Sequence, residues 1–312
     1  MSSAVSICDL SHCYGPRQAL QSVTFEIAAG EIFGILGPNG GGKTTLFGLL
    51  STLIPLQRGE VTLFGHDLRR DVYAIRGRIG IVFQAASLDK KLTVAENIRY
   101  QAALYGLTGS ELRRREAETL EQFGLQDRAN ELCERLSGGL RRRVELAKGM
   151  IHYPQLLLLD EPSTGLDPGA RLDLWRFLVQ LREVRGTTIV LTTHILEEAA
   201  KADRLAILHQ GRLVALDTPA ALQATVGGDT ITVRTGQLQQ LMQALRERFS
   251  LSGSEVEGGL RLEVQDGHRW IARLVDALPD LIDEITLGKP TLEDVFIAKT
   301  GHRFQSAVDE RN

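Results

Sequence analysis

Nine consecutive residues, Gly37-Pro38-Asn39-Gly40-Gly41-Gly42-Lys43-Thr44-Thr45, have the composition and spacing to hold a polyphosphate. The glycines let backbone N–H groups converge on phosphate oxygens without Cβ obstruction. Lys43 supplies a point charge for the β and γ phosphates, and the Thr44 hydroxyl can ligate magnesium. Elsewhere, Leu156-Leu157-Leu158-Leu159-Asp160-Glu161 ends an apolar run in two carboxylates. Asp160 is suited to hold magnesium through water, and Glu161, next along, to polarise an attacking water. A glycine turn that binds nothing is the bland reading of the first motif, disfavoured by the strand before it and the helix after it; a strand followed by a polar turn would explain the second alone about as well. In one chain the two point to phosphoryl transfer to water.

Such residues need a strand before the glycines and a helix after them. Val23–Ile27 alternates as a strand, Ala29-Gly30 turns the chain, and Glu31–Leu36 is a short β-rich apolar run. Thr44–Leu53 has helical composition. Glu60–Phe64 and Arg78–Phe83 read as further strands, and Leu156–Leu159, Thr188–Thr192 and Arg204–Leu208 as later ones. The leucine run does not alternate, so it is expected to be central and buried on both faces. Between these groups, from about Val94 to Cys133, Leu, Ala, Glu and Arg dominate and predict a helical insertion. Mostly parallel α/β architecture follows.

The pattern changes near Thr218-Pro219, and Gly227-Gly228 reads as a linker. Beyond it a small unit is expected in βαββαβ order. Its segments are a strand at Thr230–Arg234, a helix through Leu238, Leu241, Leu245 and Phe249, and a hairpin of Ser254–Val256 and Leu260–Val264. A second helix carries Ile271, Leu274, Val275 and Leu278, and Ile282–Leu287 closes the sheet. A terminal helix starts at Glu293-Asp294-Val295-Phe296, and His302–Asn312 is expected to fray.

Composition narrows the class. The 312 residues are 43% hydrophobic and 24% charged with a formal net charge of −3, so nothing overall suggests a nucleic-acid partner. Arginine runs at 113–115 and 141–143 have solvated helix faces as their default reading, which is favoured for the first. Cys8, Cys13 and Cys133 show no CxxC spacing, which fits a reducing compartment rather than disulfides or zinc. Asp9 and His12 interrupt any signal-peptide core, and no apolar run approaches the ~18–20 residues of a membrane span. If the protein works at a membrane, another chain must cross it.

Leu136-Ser137-Gly138-Gly139, followed by Arg141-Arg142-Arg143-Val144-Glu145-Leu146-Ala147, resembles the signature motif of ATP-binding-cassette proteins. Asp160-Glu161-Pro162-Ser163-Thr164-Gly165-Leu166-Asp167-Pro168 is similar to that family's strand-end carboxylates and D-loop. Thr192-Thr193-His194 resembles its switch histidine, Phe83-Gln84 its Q-loop, and Tyr14 the aromatic that stacks on adenine. Each minor motif has a bland reading alone, but they stand in the family's order from about Val5 to Leu222. Ser87-Leu88-Asp89, Leu92-Thr93 and Pro290–Phe296 resemble the drug- and polysaccharide-export branch, which includes daunorubicin-resistance-type ATPases. Leu140 departs from the family, which usually has Gln or Glu there. Gly41 replaces the more usual Ala or Ser, an exchange expected to matter little.

The resemblance implies a P-loop NTPase cassette over 1–225, with a helical subdomain at about 90–140. A small α+β, ferredoxin-like domain for regulation or dimerisation would cover 228–312. It implies an ATPase whose catalytic residues are Glu161, His194 and Lys43. ATP would be held by Tyr14, by Gly37 through Thr45, and by Gln84, Ser137, Gly138, Gly139 and Asp167, with Mg2+ on Thr44, Gln84 and Asp160. Two copies would face head to tail, each ATP lying between one chain's glycine loop and the other's signature loop. The pair would sit on the inner face of the cell membrane, cytoplasmic and peripheral, driving export through separate permease subunits. Gln84 would relay nucleotide state to Ala85–Leu92. A soluble cassette ATPase of translation or DNA repair is the alternative; a guanine-specific enzyme is not, because no NKxD segment occurs.

Overall fold

The first strand, β1 (Ser3–Tyr14), pairs antiparallel with β2 (Arg17–Ala28) and, on its other edge, with β4 (Arg58–Leu63). A two-residue β5 (His66–Asp67) completes this sheet. The alternation at Val23–Ile27 is therefore the end of a longer strand. Tyr14, which precedes every strand expected along the sequence, is the last residue of β1. Asp9, at φ 48°, and repeated register shifts against β2 break the period-two pattern that would have revealed β1. The computed structural model describes residues 3–256, 258–302 and 304.

A six-stranded sheet carries the chemistry. Its order is β10 (Arg212–Asp217), β9 (Arg204–His209), β3 (Ile32–Leu36), β8 (Thr188–Thr193), β7 (Leu156–Asp160) and β6 (Ile79–Val82). From β9 to β6 every neighbouring pair is parallel. All residues of β3 and β7 are buried. Leu156 and Leu158 belong to one core with β1, β2, β4 and the helix α1 (Lys43–Leu50). Leu157 and Leu159 belong to a second core with the helices on the opposite face. A strand covered on both faces has no wet side to alternate with, which accounts for the unbroken leucines.

A short α2 (Val72–Arg76) leads into β6. Between β6 and β7 the chain inserts α3 (Val94–Leu104), α4 (Gly109–Gln122) and α5 (Gly138–Met150). Thr93 and Glu96 close a capping box that starts α3 sharply. The insertion runs past its expected end near 140, because α5 continues back to the sheet with Val144, Leu146, Ala147 and Met150 in the second core. Then α6 (Pro168–Arg185) joins β7 to β8, and α7 (Leu196–Ala199) joins β8 to β9.

One compact unit reaches Leu216 and a second spans Asp217–Phe304. The division falls ahead of the expected 225/228 boundary, because α8 (Pro219–Val226) packs on α11 (Leu292–Thr300) of the second unit. Gly228 marks a close approach rather than a linker: its Cβ would meet the Val264 carbonyl oxygen at 2.6 Å. The second unit runs β11 (Asp229–Arg234), α9 (Leu238–Phe249), β12 (Gly253–Val256), β13 (Gly259–Val264), α10 (Gly267–Ala277) and β14 (Glu284–Gly288). The sheet order is β12-β13-β11-β14, with every pair antiparallel. Leu241, Leu245 and Leu274 from the helices pack on Ile231, Val233 and Leu262 of the sheet. Most of the tail expected to fray lies outside the described residues. Among the described residues no helix is long and apolar enough to cross a membrane.

Candidate active site

The carboxyl ends of β3, β6, β7 and β8 lie side by side, and the sequence-predicted residues hang from them. After β3, the loop from Gly37 turns into α1, whose first residue is Lys43. Gly42 precedes the helix at φ 108°, and a Cβ there would meet the Ala19 carbonyl oxygen at 2.9 Å. Gly37 is tighter, with 2.4 Å to the Leu208 carbonyl oxygen. These glycines are needed for packing as much as for phosphate access. Gly41, in place of the family's more usual Ala or Ser, was expected to matter little. Here a Cβ would sit 3.0 Å from the Pro38 oxygen and 3.1 Å from the Leu208 oxygen, so this loop has closed around its glycine. The unpaired N–H groups opening α1, with exposed Thr44 among them, form an anion-binding end.

Lys43 is 4% exposed and its Nζ donates to the carbonyls of Gly37 at 2.7 Å and Pro38 at 3.2 Å. The same Nζ lies 3.6 Å from Glu161 Oε1. Three further side chains meet Glu161 Oε2: Gln84 Nε2 donates at 3.1 Å, Thr164 Oγ1 donates at 3.3 Å, and His194 Nδ1 lies 3.1 Å away. The histidine contact is an ion pair when the ring is protonated. The chain on either side of His194 is pinned, since Thr193 Oγ1 donates to Glu198 Oε2 at 3.0 Å and accepts the Ile195 N–H at 2.9 Å.

Glu161 has φ 42°, a left-handed conformation that costs a non-glycine residue on the order of 1 kcal/mol. Thr192 steadies it. Its Oγ1 accepts the Glu161 N–H at 3.0 Å and donates to Asp160 Oδ1 at 2.6 Å, tying both carboxylate residues to the end of β8. The two carboxyls are driven apart in acidity. Burial raises Asp160, against the Thr192 hydrogen bond. Burial also pushes Glu161 upward, but His194 and then Lys43 outweigh it and hold that carboxyl below its ordinary range. Lys43 is lowered by burial, which Glu161 opposes. Glu161 is thus an ionised acceptor at neutral pH, suited to a water proton.

Lys43, Gln84 and Glu161 face a cleft of about 260 Å³ also lined by Tyr14, Arg17 and Thr44, with Pro38, Asn39, Gly40 and Thr45 on its loop side. Asp160 and His194 stand behind Glu161 and do not line it. Sequence reasoning missed Arg17. Its only signal is the hairpin register, which pairs it with Tyr14 across the Gly15-Pro16 turn. A second cleft, about 600 Å³, is lined by Ser137, Gly138, Gly139, Gly165, Asp167 and Ala170 among others. The two clefts share no lining residue. Ser137 caps α5 by accepting the Leu140 N–H at 3.3 Å, and Asp167 caps α6 by accepting the Ala170 N–H at 2.9 Å. Asp167 therefore lies with the signature residues and not beside Lys43. Leu140 is half-buried, packed against the helical core while also lining the second cleft.

A family model described as "ABC transporter" matches residues 20–164. Over 94% of each chain, the protein is 38% identical to "Daunorubicin resistance ATP-binding protein DrrA2" of Streptomyces coeruleorubidus. The chain belongs to the ABC transporter family. The ABC ATPase is also 37% identical to "Nod factor export ATP-binding protein I" of Rhizobium johnstonii, over 97% of this chain and 96% of that one. Among solved structures, the dimeric post-hydrolysis state of the ATP-binding cassette MJ0796 bound to ADP and Pi matches with a TM-score of 0.61 and 29% identity. It covers 69% of this ABC ATPase and 98% of that chain. The ABC ATPase binds and hydrolyses ATP as the energy-coupling subunit of a transporter.

Proposed function

We propose that this ATPase drives export through a separate membrane-spanning permease, working as a head-to-tail pair of copies. The observation that carries the reading is the split between two clefts. One holds the phosphate loop and the ionised Glu161, the other the signature loop and Asp167. A nucleotide enclosed by both sets needs a second chain. ATP lies on Lys43, Thr44, Thr45 and the loop glycines, its adenine on Tyr14, and Ser137–Gly139 of the partner copy approach its γ-phosphate. Glu161 accepts a proton from the attacking water and His194 holds the geometry. Thr44, Gln84 and Asp160 offer a hydroxyl, an amide and a carboxylate, the hard oxygen donors that Mg2+ takes beside phosphate oxygens and water. Mg2+ there would neutralise charge on the β and γ phosphates. The export direction is supported by the relatives, whose names speak of drug resistance and Nod factor export.

Expressed with its permease, the chain is expected in the membrane fraction; expressed alone, it should leave that fraction. Firm membrane attachment of the lone chain would count against a permease-borne location. The second unit is proposed to stabilise the pair or tune its coupling. Leu213 and Leu216 still pack on the first core, so a chain cut after Leu216 keeps that core intact. It should bind ATP with near-normal affinity while dimerising more weakly by sedimentation. Lost nucleotide binding in a folded truncation would place the second unit in the active site instead.

A further inference from the structure

Arg142 lies on α5 and is 8% exposed, a depth at which a charged side chain needs partners. Its Nε donates to the carbonyl of Pro162 at 2.8 Å. Its Nη1 donates to the carbonyl of Phe83 at 2.9 Å and to Glu145 Oε2 at 2.6 Å. Pro162 directly follows Glu161, and Phe83 directly precedes Gln84. One planar fork thus joins the two segments whose side chains meet at 3.1 Å in the cleft. Glu145 and Lys148 extend the hold to the other side of Gln84. Glu145 Oε1 accepts the Ser87 N–H at 2.9 Å, and Lys148 Nζ donates to the Ser87 carbonyl at 2.7 Å. Residues 142, 145 and 148 recur at helical spacing, so one side of α5 grips the backbone flanking Gln84 and the residue after Glu161.

We propose that Arg142, supported by Glu145, is a positioning residue for ATP hydrolysis: it sets Gln84 and Glu161 relative to each other. It also makes any displacement of the signature helix felt at both. The proposal rests on Glu161 being the water-orienting carboxylate. A buried ion pair is weak evidence for a role in stability, since apolar residues of similar volume often serve as well. Two hydrogen bonds from one guanidinium to the carbonyls beside Glu161 and Gln84 are a geometric constraint that apolar residues cannot supply.

The test measures kcat, KM for ATP and melting temperature on the full-length chain, with rates normalised to ATP-binding sites. Arg142→Met should lower kcat roughly 10–100-fold with KM within about twofold, because a small misplacement of reacting groups costs rate rather than ground-state binding. The double variant Arg142→Met/Glu145→Leu, freed of a buried carboxylate that has lost its charge partner and keeps only the Ser87 N–H, should regain much of the melting temperature lost by the single one without regaining kcat. Recovery of both would reduce Arg142 to a stabilising ion pair and overturn the proposal. Should Arg142→Met fail to fold, Arg142→Lys decides. It keeps the charge and loses the fork, so kcat should still fall roughly tenfold with KM held, and wild-type kcat would overturn the proposal. Glu161→Gln is assayed alongside. Retained turnover there refutes the carboxylate assignment, whereas its loss beside wild-type turnover in a folded Arg142 variant refutes only the positioning.

Discussion

Glu161→Gln is expected to leave ATP binding intact while turnover falls roughly 10²–10⁴-fold, the usual worth of a positioned proton acceptor. The amide is nearly isosteric, so the turn at φ 42° and its Thr192 hydrogen bond should persist. What disappears is the charge facing Lys43 at 3.6 Å and His194 at 3.1 Å. Freed from that competitor, Lys43 should bind phosphate as well as before or better. Under the head-to-tail reading, slow hydrolysis should trap an ATP-bound dimer, visible as a larger species by size-exclusion chromatography with ATP. Steady-state ATPase rates measured with a nucleotide-binding titration decide the matter. Wild-type turnover in the amide variant would sink the assignment of Glu161.

Lys43→Met should act on the opposite quantity. A charge-assisted contact to phosphate is worth about 1.5–3 kcal/mol, so the Kd for ATP should rise roughly 10–100-fold. Some stability should go as well, because Lys43 Nζ also satisfies the carbonyls of Gly37 and Pro38. A melting curve separates that effect from the binding loss. If the folded Met variant binds ATP with unchanged affinity, the glycine loop is not the phosphate site.

Much of this site could be read along the chain because its parts are local. The loop from Gly37 to Thr45 carries its own geometry in its glycines, and Leu156–Leu159 announces a strand covered on both faces. What escaped reading depends on contacts across the fold. β1 hides behind Asp9 and its register shifts. Arg17 reaches the cleft only because the hairpin sets it opposite Tyr14. Arg142 stands in an arginine run whose default reading is a wet helix face, and only tertiary packing turns it toward Phe83 and Pro162. Asp167 reads as a nucleotide contact by its motif, yet on one chain it caps α6 in the other cleft. The exact fit around Gly41 could not be seen either, since it is set by Leu208, far along the chain.

A carboxylate that touches Lys43, Gln84, Thr164 and His194 cannot be set by any one of them. The lysine would register whether phosphate has arrived, the glutamine how the segment leading to Ala85–Leu92 lies, and the histidine the state of the β8 end. Under the proposed mechanism Glu161 would act as a logical conjunction, taking a water proton when all its inputs agree. On that reading ATP would be spent fastest with nucleotide and transporter both in place, and a lone subunit would turn over more slowly.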